Sequence, residues 1–102
     1  MDKVALITGG SRGIGFGIAE KLAKDGFKLA INGTRAASEV QATIDQLKKS
    51  GRDVIYCQGS VSSTGDRQRI LGEIKNHYGE LHVLVNNAGI APRERKDILD
   101  NP

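Results

Sequence analysis

The stretch Thr8-Gly9-Gly10-Ser11-Arg12-Gly13-Ile14-Gly15 decides how this chain is read. It follows a short apolar run, Val4-Ala5-Leu6-Ile7, with the length and composition of a buried strand. It leads into a segment with Ile14, Ile18 and Leu22 spaced four apart, a helical period. The stretch is therefore a glycine-rich turn between a strand and a helix. Gly9 lets the strand turn sharply. Gly13 and Gly15 lack a Cβ, so an anionic ligand can approach the backbone and the helix can pack close to the strand. The unpaired N–H groups at the helix start then face a phosphate, and the helix dipole adds to the attraction.

Spacing separates the known phosphate-binding turns. A P-loop needs Gly-Lys-Ser/Thr after its last glycine, whereas Gly15 is followed by Phe16 and Gly17. The dinucleotide spacing G-x-G-x-x-G fails because Gly13-Ile14-Gly15 leads to Ile18. A methyltransferase loop holding S-adenosylmethionine wants an acid at the end of the second strand, where Gly33 stands. The spacing that fits is T-G-x-x-x-G-x-G.

The rest of the chain repeats the strand-helix alternation. The pattern predicts strands over 3–7, 28–32, 53–58 and 81–85, and helices over 13–24 and 36–49, with a third from about Ser63 to Gly79. Gly26 and Gly79 sit where C-terminal caps belong, and Ser63 with Asp66 resembles a capping box. Val40, Ile44 and Leu47 form the apolar face of the second helix; Ile70, Leu71, Ile74 and Tyr78 form that of the third. Short connections between alternating elements imply parallel strands with right-handed crossovers. The expected fold is α/β: a Rossmann-type, three-layer, doubly wound parallel sheet in the order 3-2-1-4, forming one domain over 1–102. The ligand crevice then lies at the carboxyl ends of strands one and four, where the winding reverses.

Composition agrees with a small globular domain. Of 102 residues, 38% are hydrophobic and 26% charged, too apolar for a disordered chain. The net charge of +3 comes from interleaved acids and bases without a basic, aromatic-laced stripe, so nucleic acid is not an expected partner. No apolar run reaches the ~20 residues of a membrane helix, and the early first strand leaves no room for a signal peptide. The single Cys57 suits a reducing compartment and reads as a small buried hydrophobe. These features predict a cytoplasmic protein. His77 and His82 stand apart from any cluster of ligand types at metal spacing.

The end of the second strand bears on the cofactor. An NAD site places an acid there to accept bonds from the adenine ribose. Here the run is Asn32-Gly33-Thr34-Arg35, and the next acid, Glu39, belongs to the first turn of a helix. Arg12 in the glycine turn and Arg35 after the strand can converge on an adenosine 2′-phosphate. A missing carboxylate with two guanidiniums favours NADP(H) over NAD.

With Thr8 to Gly15 at one end and Asn86-Asn87-Ala88-Gly89 after the fourth strand, the chain resembles the short-chain dehydrogenase/reductase family. Within it the turn, Arg12 and the NNAG segment are most similar to 3-oxoacyl-acyl-carrier-protein reductases and related sugar or polyol dehydrogenases. The resemblance implies a cofactor-binding set of Gly9, Ser11, Arg12, Gly13, Ile14, Gly15, Thr34, Arg35, Ser60, Val61, Asn86, Ala88 and Gly89. Ser60 stands where the family usually carries an Asp or Asn for the adenine amino group; its shorter hydroxyl makes a weaker contact. The implied reaction is reversible hydride transfer between NADP(H) and a small-molecule or acyl-carrier-bound carbonyl or alcohol.

The family's reduction step uses a Tyr with a Lys four residues later. Here Tyr56 is followed at that spacing by Ser60 and Tyr78 by His82, so no catalytic residue is assigned. The chain is accordingly expected to be the amino-terminal, cofactor-binding part of a longer reductase. The competing expectation is a non-enzymatic dinucleotide-binding module. The resemblance implies a homo-oligomer, and an open fourth strand with Leu81, Val83, Leu84 and Val85 is expected to self-associate.

Overall fold

The computed structural model describes residues 3–9, 13–49 and 51–87. Its elements are β1 (Val4–Thr8), α1 (Gly13–Lys24), β2 (Lys28–Gly33), α2 (Ala37–Lys48), β3 (Val54–Gln58), α3 (Thr64–Tyr78) and β4 (Val83–Asn86). The strands form one sheet in the order β3-β2-β1-β4. All three pairings are parallel; β1 aligns Ile7 with Ile31 of β2 and Val85 of β4. The predicted α/β architecture and strand order are those observed.

Alternation along the strands sorts two cores. Ala5, Ile7, Leu29, Ile31 and Val54 face one side, where they meet Ala19 and Ala23 of α1 and Val40, Ile44 and Leu47 of α2. Val4, Leu6, Ala30 and Cys57 face the other, covered by Ile70 and Ile74 of α3. Helices on both faces explain why β1 is buried along its whole length and reads as a continuous apolar run.

Helix ends follow their sequence signals. Gly26, at φ +100°, closes α1: its N–H donates to Ala23 C=O and the Phe27 N–H to Leu22 C=O, satisfying two orphan carbonyls. Gly79 ends α3 in the left-handed conformation, with its N–H on Lys75 C=O. Ser63 caps α3 by accepting from the Asp66 N–H at 3.3 Å.

Two local expectations, at Leu71 and at the Ser63–Asp66 capping box, need correction, and the contact face of α1 is new. The buried stripe of α1 is Gly15, Ala19 and Ala23, with Leu22 half-buried against the same core and Ile14 76% exposed. Small residues let α1 lie close against the sheet, so the large ones flank the contact. Leu71 is 45% exposed and does not join the inner face of α3. The Ser63–Asp66 capping box is half formed. Asp66 Oδ2 accepts from the Ser60 N–H at 2.9 Å, while the Ser63 N–H donates to Ser60 C=O.

Candidate functional site

The chain winds from β1 outward through β2 to β3, then returns to place β4 on the other side of β1. The reversal leaves a crevice outside the carboxyl ends of β1 and β4. Gly9, directly after β1, takes φ +67° and donates its N–H to Asn32 C=O at 2.8 Å. Gly13 takes φ +63° with open space around the position of a Cβ, so its requirement is conformational. Gly15 differs. A Cβ there would overlap Gly9 O and sit 2.6 Å from Asn87 Nδ2. The requirement at Gly15 is thus close packing of α1 on the turn and on the chain leaving β4. Ile14 lies exposed beside this turn.

The start of the NNAG segment is tied to the same place. The Asn87 N–H donates to Thr8 Oγ1 at 2.7 Å. The Thr8 hydroxyl proton faces Asn86 Oδ1 at 3.1 Å and Val85 C=O at 3.4 Å. Thr8 is 2% exposed, so this network also satisfies a hydroxyl that burial would otherwise leave costly. Thr8, Gly9, Gly15, Asn86 and Asn87 form one bonded and closely packed junction. Ser11, Arg12, Ala88 and Gly89 lie outside the described residues.

Toward β3 a second group assembles. Asn32 is 1% exposed, and its Nδ2 donates to Cys57 C=O at 2.9 Å and Gly59 C=O at 3.0 Å. It thereby fixes the loop leaving β3. In that loop Ser60 Oγ lies 2.7 Å from Ser62 Oγ and accepts from the Ser62 N–H at 3.3 Å. Val61 packs against the α3-side core, and its carbonyl accepts from Arg67 at 2.7 Å. Between β2 and α2, Thr34 is exposed and Arg35 half-buried. Gly33 occupies the last position of β2, so no carboxylate stands where an NAD ribose would be bonded.

Neither tyrosine is disposed as a proton donor to a ligand. Tyr56 OH donates to Arg35 C=O at 2.6 Å and Tyr78 OH to Leu29 C=O at 2.8 Å. Burial is the first cause raising both phenol pKa values. Cys57 is buried, and desolvation foremost pushes its thiol up to about 12, which leaves it inert at neutral pH. His77 Nε2 lies 2.8 Å from Asp53 Oδ2, and His82 Nδ1 accepts from the Val4 N–H at 3.0 Å; both serve the sheet's opposite end. Among the described residues no group of three His, Cys, Asp or Glu side chains could hold a metal, and no helix is long and apolar enough to cross a membrane.

Sequence reasoning missed Asn32, Tyr56 and Gln58, and quoted Asn87 within the NNAG segment without giving it a role. Asn32 had a usable signal: a polar residue ending a strand buried on both faces must find buried partners. Tyr56 and Gln58 needed the β2–β3 register, which pairs Ile31 with Tyr56 and Gly33 with Gln58.

Comparison with known proteins now adds to this geometry. The family model described as short chain dehydrogenase matches residues 3–101. The chain is 39% identical over 90 residues to 3-oxoacyl-acyl-carrier-protein reductase FabG of Staphylococcus aureus, covering 88% of this chain and 37% of that protein. It is 37% identical over 100 residues to the short-chain dehydrogenase/reductase homolog YusS of Bacillus subtilis, covering 98% of this chain and 92% of that one. The crystal structure of a 3-oxoacyl-acyl-carrier-protein reductase from Brucella melitensis in complex with NAD superposes with a TM-score of 0.81 at 36% identity, covering 97% of this chain and 38% of its own. L-Sorbose reductase from Gluconobacter frateurii, complexed with NADPH and L-sorbose, gives a TM-score of 0.81 at 30% identity, covering 99% and 38%. The chain thus spans well under half the length of the reductases it matches, and nearly all of YusS.

Proposed function

The chain belongs to the short chain dehydrogenase family, and we propose that it is the cofactor-binding part of an NADP(H)-dependent oxidoreductase. One observation carries the cofactor choice. β2 ends on Gly33 and runs into Thr34 and Arg35, with no carboxylate to bond a free 2′-hydroxyl or repel a 2′-phosphate. The adenosine half lies over the ends of β2 and β3, against Thr34, Arg35, Ser60 and Val61. The pyrophosphate lies on the turn of Gly9, Ser11, Arg12, Gly13 and Gly15, with Asn86, Ala88 and Gly89 alongside. Ile14 offers its exposed side chain as apolar surface for the cofactor to cover. The NAD- and NADPH-bound relatives support a nicotinamide dinucleotide in this crevice.

When bound, the nicotinamide supplies the hydride. This chain's contribution is to bind and orient it through main-chain N–H groups. The reaction proposed for the whole protein is reversible reduction of a carbonyl, on a small molecule or an acyl carrier as the FabG relatives suggest. The protein is assigned to the cytoplasm and to homo-oligomers, with the β4 edge as a self-association surface. Sedimentation checks the last point: a concentration-independent monomer removes it.

Calorimetric titration tests the cofactor. NADPH should bind at least tenfold tighter than NADH, and Arg12→Ala should lower NADPH affinity about ten- to a hundredfold, or about 1.5–3 kcal/mol. Equal affinities refute the assignment. A second reading is a non-enzymatic dinucleotide-binding module. The commitment of both phenols to backbone carbonyls agrees with it. Reductase assays on the purified chain with NADPH and simple ketones decide: turnover excludes the module.

A further inference from the structure

The turn assigned to the 2′-phosphate is held from behind by β3. Tyr56 OH donates to Arg35 C=O at 2.6 Å, and Gln58 Nε2 to Thr34 C=O at 3.3 Å. The cofactor assignment uses neither side chain. The ring of Tyr56 packs against the core that α1 and α2 cover, so its hydroxyl is delivered from a fixed base. Gln58 is exposed and its bond longer, so Tyr56 is the stronger of the two.

These bonds decide more than the position of two carbonyls. In a trans peptide the C=O and the following N–H point in opposite directions. The described chain has no cis bonds. With Thr34 C=O and Arg35 C=O turned toward β3, the N–H groups of Arg35 and Ala36 are turned away from it. Ala36 is the N-cap residue of α2 and has no side-chain cap bond. Two successive peptide donors, one of them opening a helix, thus face away from β3.

We propose that Tyr56, assisted by Gln58, is a positioning residue for cofactor selectivity: it holds the Arg35–Ala36 peptide with its N–H outward, toward the 2′-phosphate of NADP(H). This rests on the NADP(H) reading above. The hydroxyl touches no cofactor atom and acts through the backbone. Losing it frees the peptide to rotate, which removes a donor from the phosphate and takes nothing from a cofactor without one. The phenol keeps its proton at neutral pH, because burial raises its pKa against the opposing pull of Arg35.

The test is the ratio of NADPH to NADH affinity in the wild type and in Tyr56→Phe, by calorimetry. The wild-type ratio should be ten or more, and Tyr56→Phe should lower it about tenfold by weakening NADPH alone. A wild-type ratio of ten or more that Tyr56→Phe leaves unchanged, or an equal loss for both cofactors, overturns the positioning role and leaves the cofactor reading standing. A wild-type ratio near one, or no binding, removes both. A second measurement needs no variant. In the wild type, adenosine 2′,5′-bisphosphate should shift the amide resonances of Arg35 and Ala36 more than adenosine 5′-phosphate does, and equal shifts overturn the proposal.

Discussion

Replacing Gly15 by alanine adds one methyl group and should be among the most damaging small changes available to this chain. The new Cβ would lie 2.6 Å from Asn87 Nδ2, 2.9 Å from the Gly9 carbonyl carbon, and closer still to Gly9 O. Two of these atoms are backbone and cannot swing aside. Relief requires α1 to lift from β1 or the Gly9 peptide to turn, and either disturbs the junction of Thr8 with Asn87. Overpacking of this kind costs about 3 kcal/mol or more. In a domain of this size that lowers Tm by roughly 15 °C. Gly17, two residues on, is the matched control: nothing lies within 4 Å of its Cβ position. Gly17→Ala should therefore stabilise α1 by about 0.5–1 kcal/mol. Urea denaturation of the two variants, with NADPH titration of each folded sample, reads both effects. Gly15→Ala within about 0.5 kcal/mol of wild type, with unchanged NADPH affinity, would refute the reasoning.

Alkaline pH should unfold the protein through Cys57 and the tyrosines. The Cys57 thiol titrates near 9.0 when free and is pushed up to about 12 by burial in the fold. The folded chain then holds a proton that the unfolded chain releases, so this contribution is full below pH 9.0 and falls away as pH rises toward about 12. Denaturation midpoints for Cys57→Ala should fall less over that window than those of the wild type; parallel curves would contradict the assignment. Asn32→Val removes the N–H donors to Cys57 C=O in β3 and to Gly59 C=O in the loop after it. It should cost about 2–4 kcal/mol by urea denaturation, and a change under ~0.5 kcal/mol would deny the clamp. Ser63→Ala should cost about 1 kcal/mol through its cap, read the same way, and a neutral result would remove the cap from the account of α3.

The apolar runs of β1, β2 and β4 and the glycines at 26 and 79 made the fold legible, because each signal is local. A strand covered on both faces must be apolar throughout, and a left-handed cap must be glycine or close to it. The contact face of α1 was not legible, because periodicity marks the large Ile14, Ile18 and Leu22, while the close approach of helix to sheet selects Gly15, Ala19 and Ala23. The glycine turn and Gly33 pointed to the site from sequence alone. The groups that hold it were hidden for a different reason. Asn32 and Tyr56 act on backbone atoms of other elements, and Asn87 docks on the Thr8 hydroxyl; only the strand register brings these groups together. Gly15 was expected to make room for a ligand as well as for packing; the packing alone already forbids a side chain.

The central claim is that the turn after β1 and the turn after β2 together hold an NADP(H). Amide chemical-shift mapping on the labelled 102-residue chain during titration with NADPH tests it most directly. The account predicts shifts at Gly9, Gly13, Gly15, Arg35 and Asn86, with Asp53, His77 and His82 at the opposite end of the sheet unmoved. Saturable binding whose shifts fall at that opposite end, or a folded chain with no shifts at all, would contradict it.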